Sequence, residues 1–299
     1  MTTMSKPAPV SARSDSTPDP MAAALESERK RTRRLTRRYA LLALATPTVL
    51  LLVWQALGSL GITDTRIFPP PSDIARYAVD MTASGQLPEA VGITVARLMV
   101  GYVAGAIVGI AMGLVMGVWK PLQAAFDPLF SALYALPKIS ILPILLLIFG
   151  FTETPRVLLV MIGVFFILQI NTLAGIRQID PRVLEAATAY GATGWRLFRY
   201  VVLPAVLPSV FTGLRVSAGM AVTIITSVEF VAADNGVGFL IWNSWQIFQP
   251  GPMYVGMASV ALLGAILTAL VLGLERILIP WRSVSGRRFT LRRRPRPAA

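Results

Sequence analysis

From Tyr39 onward the chain returns again and again to apolar runs of about twenty residues with almost no charge, the length that crosses the hydrocarbon core of a bilayer as a helix. Approximate runs are 39–60, 91–118, 122–149, 156–176, 205–230 and 253–279. With 55% hydrophobic and only 14% charged residues, the chain carries more apolar surface than one soluble core can bury. The expectation is an all-α membrane protein of about six transmembrane helices. It divides into a disordered basic tail over 1–38, a membrane domain over 39–280 and a second basic tail over 281–299. The polar lead before Tyr39 is too long for a cleavable signal.

Two absences narrow the chemistry. There is no cysteine and no histidine, which excludes disulfides, thiolate chemistry, His-ligated metals and a Ser-His-Asp triad. There is also no G-x-x-x-x-G-K-[ST], so nucleotide is not cradled in the P-loop manner. The net charge of +13 suggests nucleic acid only until it is located. Seven of the ten residues Arg29–Arg38 are basic, and seven more basic residues lie in Arg282–Arg296. Together they are 14 of the 28 Lys and Arg, and they flank the apolar region at both ends, which suits anionic lipid headgroups. Nucleic-acid binding would interleave basic and aromatic residues on a folded platform, so no nucleic-acid partner is expected.

The remaining basic residues set sidedness. Lys120 follows the second run, and Arg177, Arg182, Arg196 and Arg199 lie between the fourth and fifth. The opposite loops hold only Arg66 and Arg76. Excess Lys and Arg marks the cytoplasm, so both termini and the segment 177–204 are expected there.

Individual runs carry further signals. Gly101, Gly105, Gly109, Gly113 and Gly117 recur every four residues, a smooth ridge along which another backbone can pack. Arg97, near the start of that run, is expected to snorkel to the interface. The third run is interrupted by Leu136-Pro137-Lys138 and by Pro143. Gln169 and Asn171 are placed to hydrogen-bond to a neighbouring helix. Pro71 or Ser72 starts a short amphipathic helix, and 232–252 reads as a loop. Prolines and an ionisable residue inside a span are tolerated where they face protein or a wet cavity. Lys138 and Pro137, with Glu229 and Arg215, are therefore candidates for a translocation path. A cation at Lys138 would suit an anionic solute. The alternatives are internal pairing for Arg215 and a hydrogen-bonded packing role for Glu229.

The most distinctive segment is Glu185-Ala186-Ala187-Thr188-Ala189-Tyr190-Gly191, with Val201-Val202-Leu203-Pro204 after it. Asp180 is a good N-cap, Pro181 fits the first helical position, and Gly191 suits a left-handed C-cap. After Gly194, Trp195, Phe198 and Val202 share one face, Arg196, Arg199 and Tyr200 another, and Pro204 is expected to close the unit. Of the first helix, Val183, Leu184, Ala187 and Tyr190 are expected to pack. Arg182, Arg196 and Arg199 are expected to meet acidic groups or lipid phosphates.

The spacing Glu-Ala-Ala, three residues, Gly, nine residues, an aliphatic, one residue, Leu-Pro resembles the EAA loop of ABC importer permeases. Glu185, Ala186, Ala187, Gly191, Leu203 and Pro204 fill its slots. The runs Phe68-Pro69-Pro70-Pro71, Leu136 to Pro143 with Phe149-Gly150, and Glu229 with Gly236-Val237-Gly238 are similar to the nitrate/sulfonate/taurine type. Ile148 and Val237 are mild departures. The resemblance implies a type I importer fold in the bacterial inner membrane and a cytoplasmic coupling helix. It also implies a second permease copy, two ABC ATPase subunits that hold ATP-Mg, and a solute-binding protein. The chain itself is then a non-hydrolytic subunit with no cofactor and no metal. The solute is a small anion such as a sulfonate, taurine or nitrate. A stand-alone secondary transporter or channel is the alternative; it predicts paired broken helices, and only one run is clearly broken.

Overall fold

A computed structural model describes residues 20–281 of the chain. The expectations for residues 1–19 and for the tail from Arg282 lie outside the described residues. The chain divides into two compact units, the second beginning at Asp64.

In the first unit a single helix, α1, spans Pro20–Ser59. Residues 20–38 are therefore helical rather than a disordered tail. Met21 to Arg38 is rich in Ala, Leu, Glu, Arg and Lys, the strongest helix formers, which continue the apolar segment Leu41–Ser59 backward without a break.

The second unit is built on helices α2 (Pro71–Ala83), α3 (Gln86–Val118), α4 (Lys120–Ala135), α5 (Leu142–Phe149) and α6 (Glu153–Arg177). It continues with α7 (Pro181–Ala189), α8 (Gly194–Leu197), α9 (Leu203–Ala232), α10 (Val237–Gln246) and α11 (Pro250–Leu278). Pro71 opens α2 at its first position, as expected. Ten residues of the expected loop 232–252 are helix α10; the run Val237 to Trp242 is apolar enough to pack on α11 through Ile241 and Gly256.

The centre of the unit is α6, wedged between α3 and α9. The five-glycine ridge of α3 lies against α6. A β-carbon added at Gly101, Gly105, Gly109 or Gly113 would sit 2.5–2.8 Å from the carbonyl oxygen of Val157, Met161, Phe165 or Gln169. The contact is backbone to backbone over more than three turns, as the spacing predicts. In lipid, where apolar side chains gain little by meeting each other, such close approach is what holds helices together. On the other face of α6, Gly163 meets Ile224, and Gly213 of α9 meets Asn171. Gln169 donates to Met116 Sδ across the α3 interface (3.2 Å), as expected for a bridging polar residue. Asn171 bonds back to its own helix at Ile167 O instead (2.8 Å).

Contact order along these pairs fixes direction. Gly101 faces Val157 and Gly117 faces Ile176, so α3 and α6 are parallel. Gly163 faces Ile224 and Gly175 faces Ser209, so α9 is antiparallel to α6. Residues 119–152 must then carry the chain back along the length of α3. They do so as a broken pair: α4 and the segment Lys138–Phe149 meet at 98°. The expected third span is thus bent sharply where Pro137 holds Leu136 in an extended conformation (φ −68°, ψ 133°). Five helices among the described residues have span length and composition, and the bent pair makes up to six.

The α3–α6 seam is directly testable. Gly105→Ala should destabilise the folded protein by about 1–3 kcal/mol, the usual cost of forcing extra atoms into a close-packed contact. Gly92→Ala, on the same helix with open space around it, should be neutral or slightly stabilising. Thermal unfolding of the two variants in one detergent checks the difference.

Candidate functional site

Three features of the fold hold the residues singled out by sequence, and they lie at different places.

The first is a buried ionic knot where α3, α6, α9 and α10 meet. Glu229 is 0% exposed. Its carboxylate accepts from Arg97 Nη1 (2.8 Å), from the backbone N–H of Gly238 (2.9 Å) and from Thr94 Oγ1 (2.9 Å). Thr94 Oγ1 in turn accepts from Val237 N (2.8 Å). Arg97 also reaches Asn235 O (3.0 Å) and Glu153 Oε1 (2.7 Å). Arg156 donates to Ala232 O from Nε (3.0 Å) and Nη2 (2.6 Å), and to Glu153 Oε1 from Nη1 (2.6 Å). The Glu153 side chain is 59% exposed and opens the knot to solvent.

Each part has a local reason. The C-terminal carbonyls of α9 lack helical partners, and Arg156 supplies donors to one of them. At the N-terminus of α10 the Gly238 amide donates to the Glu229 carboxylate directly and the Val237 amide reaches it through Thr94 Oγ1. Gly236 (φ +100°) and Gly238 let that backbone approach: a β-carbon at Gly236 would lie 2.4 Å from Glu229 Oε1, and one at Gly238 2.6 Å from Glu229 Cβ. The Glu … Gly-x-Gly spacing is thus a steric requirement. Arg97 does not snorkel as expected. It is buried, because carboxylates on α6 and α9 meet its guanidinium inside the protein and offset the cost of desolvating it. Sequence reading missed Thr94, Glu153, Arg156 and Asn235 as members of this knot. The two ionisable ones stood at the edge of the fourth run, where charge is ordinary.

The second feature is the bend. Lys138 is buried, and its ammonium donates to Leu133 O (3.1 Å), Tyr134 O (2.8 Å) and Leu136 O (3.0 Å). It also lies 5.0 Å from the centroid of the Phe166 ring. All three ammonium hydrogens are engaged, so Lys138 caps the carbonyls at the C-terminal end of α4 beside Pro137, of which Leu133 O also accepts from Leu136 N. Arg215 pairs with Glu275 of α11, joining α9 to its neighbour. The four expected path residues do not converge. Glu229 and Arg215 alone are fourteen positions apart on α9, about 21 Å at 1.5 Å per residue.

The third feature is the polar hairpin after α6. Asp180 caps α7, its Oδ1 accepting from Arg182 N (2.9 Å), and Pro181 follows at the first position. Gly191 takes φ +81°. Ala192 N donates to Ala187 O and Gly191 N to Thr188 O, both 2.9 Å, which completes a Schellman cap. Glu185 and Ala186 are exposed and Ala187 is half-buried. The four residues expected to pack divide: Leu184 and Ala187 turn toward the domain, Leu184 against Val202 and Val206, while Val183 and Tyr190 (94% exposed) face out. Leu203-Pro204 does not close the unit. Phe198–Val202 forms a π-turn, and the helix continues from Gly194 to Ala232. The wider turn accommodates a proline that has no N–H to donate and whose ring crowds the preceding turn.

Span-length helices packed backbone to backbone, with a polar capped hairpin between the fourth and fifth, define a multi-pass membrane domain. The chain belongs to the family described as binding-protein-dependent transport system inner membrane component, whose model matches residues 101–284. It is a permease subunit of an ABC importer, a membrane component with no catalytic role of its own. It is 31% identical over 259 residues to a putative aliphatic sulfonates transport permease, SsuC, of Bacillus subtilis (86% of this chain, 93% of that one). It is 34% identical to the SsuC of Escherichia coli (79% and 89%). It is also 34% identical to a riboflavin transport system permease, RibX, of Chloroflexus aurantiacus (84% and 94%). Among solved structures, the fold is shared with a MetNI methionine ABC transporter chain (TM-score 0.55, 19% identity, 62% of this chain and 92% of that one). It is shared too with a chain of a bacterial alginate ABC transporter (TM-score 0.57, 14% identity, 83% and 97%).

The knot makes a thermodynamic prediction. Arg97→Leu alone should cost about 3–5 kcal/mol, because it leaves the buried Glu229 carboxylate without its cation, and Glu229→Leu should cost less, because Arg97 keeps Glu153 and Asn235 O. The double variant should cost clearly less than the sum of the two. A double-mutant cycle of detergent unfolding measures this; strict additivity would mean the pair does not interact.

Proposed function

We propose that this chain, with a second copy, forms the translocation path of a binding-protein-dependent importer, and that α7 with the turn to α8 is its contact with the ATPase subunits. The observation that carries the reading is the hairpin itself. It is capped at both ends of α7 yet leaves Val183 and Tyr190 exposed beside Arg182. A polar segment with that much built-in order and that much uncovered apolar surface suits a protein partner. The arginine excess beside it favours the cytoplasmic side, with both chain termini there as well. Six crossings, counting the broken pair as one, agree with that sidedness.

A small sulfonate-type anion is the solute class best supported, through the SsuC relatives and the taurine permease TauC of Escherichia coli at 26% identity. The riboflavin permease at 34% favours a second reading, a planar heterocycle. Lys138 no longer argues for an anion, since its hydrogens are engaged internally. A path role for Pro137 and Lys138 is better cast as setting the bend of the broken pair. The face of α9 left open by its neighbours, with Thr212, Thr223 and Ser227, is a better lining candidate.

Glu185→Arg and Gly191→Val test the coupling reading. A branched residue at φ +81° costs roughly 1–2 kcal/mol locally and undoes the cap. Both variants should insert normally, lose ATPase co-purification and lower uptake at least about tenfold, the effect of ~1.4 kcal/mol at an interface. Unchanged co-purification and uptake in both would refute the assignment. Uptake of labelled alkanesulfonate, taurine and riboflavin by the unaltered system decides between the two solute classes.

A further inference from the structure

An open apolar groove of about 430 Å³ lies between the last turns of α3 and the start of α8. Leu114, Val115, Val118 and Phe198 form its walls, and Trp119 and Trp195 stand at its rim. The two tryptophans are 57% and 72% exposed. On the sidedness proposed above, this is where two spans leave the bilayer, since α3 ends at Val118 and the helix running into α9 begins at Gly194. Tryptophan concentrates at that depth, with its ring among the headgroups.

Among the described residues, the basic residues next to the groove in sequence have no carboxylate partner, unlike the arginines that tie the helices together. Arg97, Arg156, Arg177 and Arg215 are each committed to a carboxylate. Lys120, Arg196 and Arg199, which neighbour Trp119, Trp195 and Phe198 in sequence, are exposed and form no ion pair with any described residue. Asp127, the nearest acidic residue along the chain from Lys120, is taken by Arg177 at 2.7 Å. A greasy slot rimmed by two tryptophans, with exposed, uncompensated cations at or next to those positions in the chain, is complementary to one kind of molecule, with acyl chains below and a negative headgroup above.

We propose that this groove is a binding site for an anionic phospholipid, with an acyl chain along Leu114, Val118 and Phe198 and the headgroup phosphate met by Lys120, Arg196 and Arg199. Basic pockets at the cytoplasmic ends of membrane helices recognise anionic headgroups by the same combination. The site abuts the hairpin: α8, which forms one wall, follows the cap at Gly191 directly. Lipid held there stiffens the joint between the hairpin and the span it leads into.

The test uses the full-length chain with Trp54, Trp242, Trp245 and Trp281 replaced by phenylalanine, leaving Trp119 and Trp195 as reporters. It is reconstituted in phosphatidylcholine vesicles containing brominated phosphatidylglycerol or brominated phosphatidylcholine. Emission should be quenched with at least about fivefold preference for the anionic lipid, the effect of roughly one well-placed cation at the surface. Lys120→Gln with Arg196→Gln and Arg199→Gln should bring that preference to within about twofold of none. Raising ionic strength on the chain with its native cations should lower it in the same direction, which keeps the test valid if the triple variant folds poorly. Equal quenching by the two lipids, or a preference that survives the triple substitution, would overturn the proposal. So would displacement by inorganic phosphate, which would assign the cations to a free anion. Loss of ATPase co-purification in the triple variant with lipid preference intact would give the cations to the protein partner and overturn it as well.

Discussion

The backbone contact between α3 and α6 sets most of what else this subunit does. Glycine at every fourth position removes the side chains that would hold two helices apart, and the carbonyls of α6 fill the space. Once these two helices are parallel, the segment between them has to return across the same distance. The sequence of that segment, Leu136-Pro137-Lys138 with Pro143 after it, does so by breaking rather than by running straight. The lysine that looks out of place in an apolar run is what makes the break tolerable, because its three donors reach carbonyls at the bend that have lost their helical partners.

The buried ionic knot fixes the end of the same seam at which α3 and α6 begin. Arg97 and Arg156 each reach across helices, and Glu229 is held where the amides of α10 begin. A knot of this kind is a poor source of net stability, since desolvation consumes most of the attraction, but it is intolerant of partial loss. It therefore specifies arrangement: α9 and α10 must turn at Asn235-Gly236 with the backbone close enough to touch the carboxylate. In the proposed reading the hairpin faces the ATPase, and the knot, where α3 and α6 begin, lies at the other end of the membrane region.

Periodicity and punctuation made much of this legible in the sequence. The glycine ridge needs only a four-residue repeat, and the α7 caps need only Asp180, Pro181 and Gly191 at the right offsets. Local rules failed where tertiary partners decide. Arg97 reads as an interfacial cation because nothing nearby in sequence says that carboxylates 56 and 132 positions away will meet it. Lys138 reads as a solute ligand because its acceptors are backbone oxygens, which sequence patterns do not advertise. Leu203-Pro204 reads as a terminus because the π-turn that absorbs the proline has no residue signature of its own. Helix α10 was hidden because a ten-residue helix between two spans has the length of a loop.

The parallel course of α3 and α6 carries the whole layout, and a chain without cysteine makes it easy to probe. Single cysteines at Ser84, Thr152 and Thr188 fall before α3, before α6 and within α7. With a membrane-impermeant maleimide on intact cells and on inverted vesicles, Ser84→Cys and Thr152→Cys should both label from outside, and Thr188→Cys only from the cytoplasmic face. If Thr152→Cys instead labelled from the same side as Thr188→Cys, the broken pair would not return the chain across the bilayer, and the parallel seam would be contradicted.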